Sequence, residues 1–284
     1  AFEADGADVW YEEGAKERFL TGIVNPDEYN QVFDILDVWF DSGVTQYCVL
    51  DQREQLGSPA DLYLEGSDQH RGWFQSSLLT SLAIRDAAPY KTVLTHGFTV
   101  DEQGRKMSKS LGNTIEPQMI IKQSGAEILR LWVAMVDYRE EVRIGKQILD
   151  RMVEAYRKIR NTLRILVANL YAFDPAADAL PLDRLAEVDR YALARYGEVA
   201  TRVLRAYDRY EFQTVVHTLN NYLTVDLSAF YVDISKDRLY TFGPGSDARR
   251  SAQTAIHTIV DGLTRLIAPI LPITADALWG NLPG

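Results

Sequence analysis

Thr92-Val93-Leu94-Thr95-His96-Gly97-Phe98-Thr99-Val100-Asp101-Glu102-Gln103-Gly104-Arg105-Lys106-Met107-Ser108-Lys109-Ser110-Leu111-Gly112-Asn113 is the stretch on which the reading of the first half of the chain turns. Thr92 to Val100 alternates with the two-residue period of a strand. Asp101-Glu102-Gln103-Gly104 has the composition of a turn. The loop that follows carries two lysines three residues apart, interleaved with Ser108 and Ser110. A lysine ammonium is a mobile point charge with three donors, and serine hydroxyls and loop amides add hydrogen bonds to phosphate oxygens. Gly104 and Gly112 supply conformational freedom on either side. Such a loop could close on a triphosphate and neutralise charge developing at phosphorus. A Lys-x-x-Lys pair taken alone reads first as a solvated basic turn, since charge runs usually face solvent.

The neighbouring segments give this loop a setting. Ala60 to Leu64 is a strand candidate followed by Gly66, and residues 70–85 place Trp73, Phe74, Leu78, Leu79, Leu82 and Ile84 in a helical pattern. Helices are predicted near 117–123 and 125–136, and Ser110 to Pro117 is loop-like. Residues 60–136 therefore read strand, helix, strand, loop, helix, the order of a parallel α/β sheet. Gly6, Gly14, Gly22 and Asn25-Pro26-Asp27 break up residues 1–36. From residue 146 the pattern changes to long helical stretches at 146–171, 184–209, 211–234 and 247–268, separated by Pro175, Pro181, Gly243-Pro244-Gly245 and Pro269. The second half is expected to be an all-α helical bundle, with the boundary near 138–147. Met119, Met135 and Met152 read as core fillers.

With 46% apolar and 25% charged residues over 284 positions, the chain is expected to bury a sizeable core, in two domains. The most apolar stretch, Leu263 to Leu271, is interrupted by Arg265 and Pro269 and is too short to span a membrane. A single cysteine, Cys48, excludes an internal disulfide and a cysteine zinc knuckle, and neither His70 nor His96 forms a metal constellation with other ligands, so no metal site is expected; a cytoplasmic setting fits. The net charge of −10 argues against a general nucleic-acid coat. Its distribution is uneven: residues 1–150 hold 25 acidic against 14 basic side chains, residues 151–284 hold 15 against 16. A polyanion is thus expected on the helical half.

Lys106-Met107-Ser108-Lys109-Ser110 is identical to the Lys-Met-Ser-Lys-Ser signature of the class I aminoacyl-tRNA synthetases. Two further segments resemble the isoleucyl members of that family: Asp37-Val38-Trp39-Phe40-Asp41-Ser42-Gly43, where the chain re-enters the catalytic domain, and Leu64-Glu65-Gly66-Ser67-Asp68-Gln69-His70-Arg71-Gly72-Trp73-Phe74, the adenylate-binding turn. The likeness continues through Leu94-Thr95-His96-Gly97-Phe98, Ile128-Leu129-Arg130-Leu131-Trp132 and Arg157-Lys158-Ile159-Arg160-Asn161-Thr162. Valyl and leucyl relatives share the architecture and usually lack the Gly-Ser-Asp-Gln-His-Arg-Gly-Trp run. The resemblance implies that residues 1–36 are the exit of an inserted editing domain. Residues 37–145 become the C-terminal half of a Rossmann-like catalytic domain, and 146–284 a helical anticodon-binding domain. It implies ATP with Mg²⁺, L-isoleucine and tRNA(Ile) as partners of an enzyme that is monomeric at full length. Lys109 and Lys106 become catalytic, acting on the transition state and the pyrophosphate end. Glu65, Gly66, Asp68, His96, Met107 and Lys109 would contact ATP or the adenylate, and Trp39, Gln69 and Trp73 would border the amino acid.

Each of these residues has a plainer reading. A glycine after a strand lets a nucleotide approach a helix terminus, yet Glu65 and Asp68 could also be a helix-capping pair. Trp39 and Trp73 could be core, and His70 and His96 structural. In the helical half, Arg195, Arg202, Arg205 and Arg209 share one helical face, and Arg157, Lys158 and Arg160 form a second basic group with Arg151 and Arg164. The resemblance implies tRNA contacts for them, with Tyr196, Tyr207 and Tyr210 available for stacking; a solvated face balanced by Glu198, Asp208 and Glu211 is the alternative. His217 and His257 read as packing residues. The family's His-x-Gly-His signature is absent, because His70, His96, His217 and His257 are the only histidines. The chain is therefore expected to be an internal fragment without aminoacylation activity alone. A non-catalytic tRNA-binding module is the competing reading.

Overall fold

Glycines and Pro26 keep the opening segment in short pieces: α1 (Phe2–Asp5), α2 (Ala15–Leu20) and α3 (Val38–Gly43), joined by 3₁₀ turns. Phe2, Trp10 and Phe19 hold the first two together, with ring centroids 5.0 Å apart for Phe2–Phe19 and 5.5 Å for Trp10–Phe19. β1 (Ala60–Gly66) leads through a 3₁₀ turn, Ser67–Arg71, into α4 (Trp73–Arg85), and β2 (Tyr90–His96) lies beside β1. A helix between adjacent strands is the connection that a parallel pair requires. Phe74, Ser77 and Ser81 form the buried face of α4. The helix expected over 70–85 thus loses its first residues to the 3₁₀ turn, where Gly72 adopts a non-helical backbone. The computed structural model describes residues 2–284, and the chain divides into two compact units, Ala1–Thr95 and His96–Gly284.

The strand expected over 92–100 is two strands. Gly97 donates its amide to Tyr138 O at 2.8 Å, and a methyl group added at Gly97 would overlap the backbone of Glu140. β3 (Thr99–Val100) then pairs in parallel with β4 (Val142–Arg143), Thr99 opposite Val142 and Val100 opposite Arg143. Between them lie α5 (Pro117–Ser124) and α6 (Ala126–Met135). Ile120, Ile128, Trp132, Val142, Ile144 and Met152 form a small apolar core under this sheet.

α7 (Lys146–Ala168), α8 (Pro175–Asp178), α9 (Glu187–Asp208), α10 (Phe212–Asn221), α11 (Val232–Tyr240), α12 (Asp247–Ile267) and α13 (Pro272–Trp279) make the bundle. α12 is its axis: Ala252, Ala255, Ile256, Ile259, Val260 and Leu263 are fully buried at three- and four-residue spacing. Gly262 lets the helix touch Tyr196, whose ring would overlap any added methyl group. The helix expected over 211–234 is continuous in path but not in type, because Tyr222–Tyr231 is π-helical between α10 and α11. α13 was not legible as a helix; Pro272 opens it. Met152 is buried as expected, whereas Met119 is 64% exposed. His217 also lies on the surface rather than in the packing.

One buried carboxylate ties four bundle segments together. Asp189, in the first turn of α9, accepts from Tyr231 Oη (2.6 Å), Ser251 Oγ (2.5 Å) and both terminal nitrogens of Arg238 (2.7 and 2.9 Å). Burial pushes the Tyr231 phenol well above its ordinary value, and the neighbouring Asp189 charge adds to the rise. Removing the carboxylate leaves Arg238 without its counter-charge. Asp189→Ala is expected to destabilise the bundle by ~3–5 kcal/mol, against ~2–5 kcal/mol for the apolar truncation Leu263→Ala. Urea unfolding followed by circular dichroism measures both, and a loss below about 1 kcal/mol for Asp189→Ala would show the network to be incidental.

Candidate functional site

In the first unit, the residues expected around an amino acid come together. Gln69 Oε1 accepts from the Trp73 amide at 3.0 Å, and Trp73 Nε1 donates to Ser42 O at 2.9 Å. The Trp73 ring stacks on Tyr63 with centroids 4.2 Å apart and planes 11° from parallel. Gly72 sits under the Trp39 ring; an added Cβ would stand 3.0 Å from Trp39 Cη2 and 2.8 Å from Gln69 Oε1. Trp39 stays 45% exposed, its amide held by the Asp37 side chain at 2.9 Å. Trp39, Gln69, Gly72 and Trp73 are thus one cluster, with Trp73 anchored and Trp39 open to solvent.

The carboxylates of this turn do no capping. The first amide of α4 is taken by Gln69, and neither Glu65 nor Asp68 bonds a helix amide. Asp68 accepts only from Gln69 Nε2, at 3.3 Å, and Glu65 has no hydrogen bond or ion pair among the described residues. Both are exposed, on either side of the buried Gly66. Capping by Gln69 leaves the two acceptors available to hydroxyls or an ammonium.

In the second unit, Asp101 organises the lysine loop. Its Oδ1 accepts from the amides of Gln103 (3.0 Å) and Arg105 (2.8 Å), and its Oδ2 from Arg105 Nε (2.9 Å) and Asn113 Nδ2 (2.9 Å). Asn113 closes the far end: its Oδ1 accepts from the Ser108 amide at 2.9 Å. Ser108 Oγ lies 3.1 Å from Ser110 Oγ, and Lys106 bridges back to Val100. Hydrogen bonding from Asn113, then from the Arg105 backbone and side chain, holds the Asp101 carboxyl down at about 2 against the opposing effect of its burial. Met107 packs half-buried against the small core. Lys106 and Lys109 are exposed and have no carboxylate partner among the described residues. His96 is half-buried; its Nδ1 is 2.9 Å from Gly97 O, an acceptor only, so Nδ1 is the donor in this contact. Among the described residues no group of three or more His, Cys, Asp or Glu side chains is placed to hold a metal ion.

Arg202, Arg205 and Arg209 line a cleft of about 760 Å³ between α9 and α10, together with Thr201, Glu211 and Thr214. None of the three is ion-paired among the described residues. Arg195, expected on the same stripe, is instead held by Glu198 (2.7 Å) and Asp226 (3.2 Å). Tyr207 donates to Leu266 O at 2.8 Å and Tyr196 packs on α12, so both rings face the bundle rather than a ligand. On α7, Arg157 pairs with Glu154 at 2.6 Å, while Lys158 and Arg160 are exposed. Sequence reasoning missed Asp101 and Asn113 as a pair; the signal available was an aspartate opening a turn of the kind whose side chain bonds backbone two residues on.

Residues 1–145 match the family of class I tRNA synthetases (I, L, M and V), and residues 189–283 match the anticodon-binding domain of tRNA ligases. The isoleucine–tRNA ligase of Syntrophotalea carbinolica is 54% identical over 287 residues, covering 100% of this chain and 31% of its own length. That of Alcanivorax borkumensis is 57% identical over 282 residues, covering 99% and 30%. The chain therefore spans less than a third of the length of these curated relatives. Among solved structures, the LeuRS–tRNA–LeuAMS ternary complex of Agrobacterium radiobacter K84 is similar over 88% of this chain and 31% of that one, with a TM-score of 0.69 and 19% identity. Mycobacterium tuberculosis methionyl-tRNA synthetase bound by methionyl-adenylate gives a TM-score of 0.61 at 19% identity, over 78% and 44%. At that identity the likeness is one of fold.

The depressed Asp101 carboxyl makes the loop's order depend on pH. Its contribution is complete above the ordinary value of 3.8 and is lost as the pH falls through about 2. An NMR titration should show the Asn113 side-chain amide shifting only in that low window. Asn113→Ala, which removes the largest cause, should bring the Asp101 transition up towards 3.8; a midpoint that stays near 2 would assign the depression to Arg105 instead.

Proposed function

Because the chain belongs to the class I aminoacyl-tRNA synthetases of the isoleucine, leucine, methionine and valine group, we propose that it serves the activation of L-isoleucine with ATP and its transfer to tRNA(Ile). The observation that carries this reading is the loop itself. Two unpaired lysine ammoniums project from a backbone fixed at both ends by Asp101 and Asn113. The 54–57% identity to isoleucine–tRNA ligases favours isoleucine over its neighbours in the group.

In the first step the isoleucine carboxylate oxygen attacks the α-phosphorus of ATP, and the bond to the bridging oxygen of pyrophosphate breaks. No proton needs to move at the reacting atoms, so positioning and charge stabilisation dominate. Lys109 is assigned to the negative charge building on the phosphoryl oxygens and Lys106 to the departing pyrophosphate. Mg²⁺ enters with ATP as part of the substrate. Glu65, Gly66, Asp68, His96 and Met107 are assigned to the nucleotide and adenylate, and Trp39, Gln69 and Trp73 to the isoleucine side. In the second step a terminal ribose hydroxyl of tRNA attacks the adenylate carbonyl and AMP leaves. Residues 37–145 would be the catalytic portion, 146–284 the anticodon-binding portion, and 1–36 the return from an editing domain. The Arg202–Arg205–Arg209 cleft is assigned to tRNA phosphates, with Arg157, Lys158 and Arg160 as a second contact. A single thiol, Cys48, fits a reducing cytoplasm.

The His-x-Gly-His signature does not occur in these 284 residues, so the loop supplies one side of a phosphate clamp. ATP–pyrophosphate exchange driven by isoleucine is accordingly expected to be negligible for this chain, and robust turnover would refute that expectation. Thermal shift with isoleucyl-, valyl- and leucyl-adenylate analogues should rank isoleucyl first; a higher rank for either other analogue would transfer the assignment to that enzyme. Replacing Arg202, Arg205 and Arg209 by alanine should weaken tRNA binding and lower the slope of log K against log salt by about one per arginine. tRNA binding without any response to the three analogues would favour a non-catalytic RNA-binding module.

A further inference from the structure

α7 is 23 residues long and has no cap of its own: its N-cap residue is Gly145, which offers no side-chain acceptor. The acceptor comes from elsewhere in the chain. Glu102, in the turn that opens the lysine loop, lies across Gly145 and accepts from the Gln147 amide through Oε1 at 3.0 Å. The fit is close enough that a methyl group added at Gly145 would overlap the Glu102 side chain. Glu102 also stands between two backbone ties. Ile144 donates to Val100 O at 2.9 Å on one side, and Asp101 gathers Gln103 and Arg105 on the other. A carboxylate at a helix N-terminus meets both unsatisfied amides and the positive end of the helix dipole.

We propose that Glu102 is a positioning residue for the Lys106–Ser110 loop: by capping α7 from outside the helix, it fixes the base of the loop to the first helix of the bundle. The inference rests on the reading of that loop as the phosphate-binding element. It implies that the resting position of Lys106 and Lys109 is set by α7 and not by the loop sequence alone. Gly145 is then the counterpart of Glu102, kept small so that the carboxylate can pass.

The loop contains Arg105, Lys106 and Lys109, so brief trypsin treatment of the folded, ligand-free chain reads its opening, while hydrogen exchange at Gln147 to Leu149 reads the first turn of α7. Glu102→Ala should raise both by about fivefold, the factor a lost N-cap corresponds to. Glu102→Gln retains an oxygen acceptor and should stay near the parent; cutting as fast as in Glu102→Ala would overturn the proposal. The deciding variant is Glu102→Ala/Gly145→Ser, in which a hydroxyl on α7 itself can cap the helix in the space Glu102 vacates. Coupling predicts slow exchange in α7 with the loop still cut about fivefold faster. If the double variant restores loop and helix together, Glu102 serves only helix stability and the proposal fails. Because no nucleotide is present, the outcome does not depend on whether MgATP binds. Protection of the loop by MgATP in the parent chain tests the ATP reading separately.

Discussion

A buried carboxylate with four donors around it sets the form of the lysine loop. Asp101 can accept from two backbone amides, a guanidinium and a carboxamide only if residues 101–105 turn tightly and Asn113 returns to the same point. Once Asn113 is there, its own carbonyl reaches the Ser108 amide and the loop is closed on itself. Several of the loop's backbone amides are thereby satisfied internally, and the two lysines are left exposed. A loop whose lysines had been drawn into ion pairs would have to break them before meeting a phosphate. Here that cost is absent, because the two carboxylates nearest in sequence are engaged elsewhere, Asp101 by Arg105 and Glu102 by the Gln147 amide.

The same economy recurs where the loop region joins the bundle. Arg130 and Glu127, one turn apart on α6, address opposite ends of the α12–α13 connection. Arg130 donates to Ile270 O (2.8 Å) and Pro269 O (2.6 Å) in the turn after α12, and Glu127 accepts from the Thr274 amide (2.9 Å) at the start of α13. The carboxylate meets the N-terminus of α13, where the helix dipole favours it, while the cation meets carbonyls of the turn before it. The Glu127 carboxylate is buried without a cation because that helix end, Thr274 Oγ1 and the Tyr156 hydroxyl satisfy it. Helix α6 therefore packs against the bundle by directed bonds as well as by Leu131 and Ala134.

What could be read from sequence was whatever depended on near neighbours. The strand at Ala60–Gly66, the helices of the bundle and the lysine loop follow from periodicity, punctuation and a five-residue signature. The break at Gly97 could not be read, since its cause is the backbone of Tyr138 and Glu140 some forty residues on, brought alongside by tertiary structure. Gln69 looked like a pocket residue, and its capping of α4 was hidden because the cap comes from a 3₁₀ turn rather than from the residue before the helix. The arginine stripe was legible as spacing, but spacing cannot say that Asp226, on another segment, claims Arg195 while leaving Arg202, Arg205 and Arg209 alone.

The π-helical stretch from Tyr222 to Tyr231 carries a consequence for how α11 is aimed. Leu223, Leu227 and Tyr231 are buried at four-residue intervals along it, and beyond it Arg238 of α11 reaches both carboxylate oxygens of Asp189. Helical phase is additive along a chain. Deleting one residue within the stretch would turn everything beyond it by roughly a quarter turn, carrying Arg238 off the carboxylate while leaving composition and hydrophobicity almost unchanged. The segment behaves as a gear tooth, whose length in residues, more than its chemistry, determines which face of α11 the bundle sees.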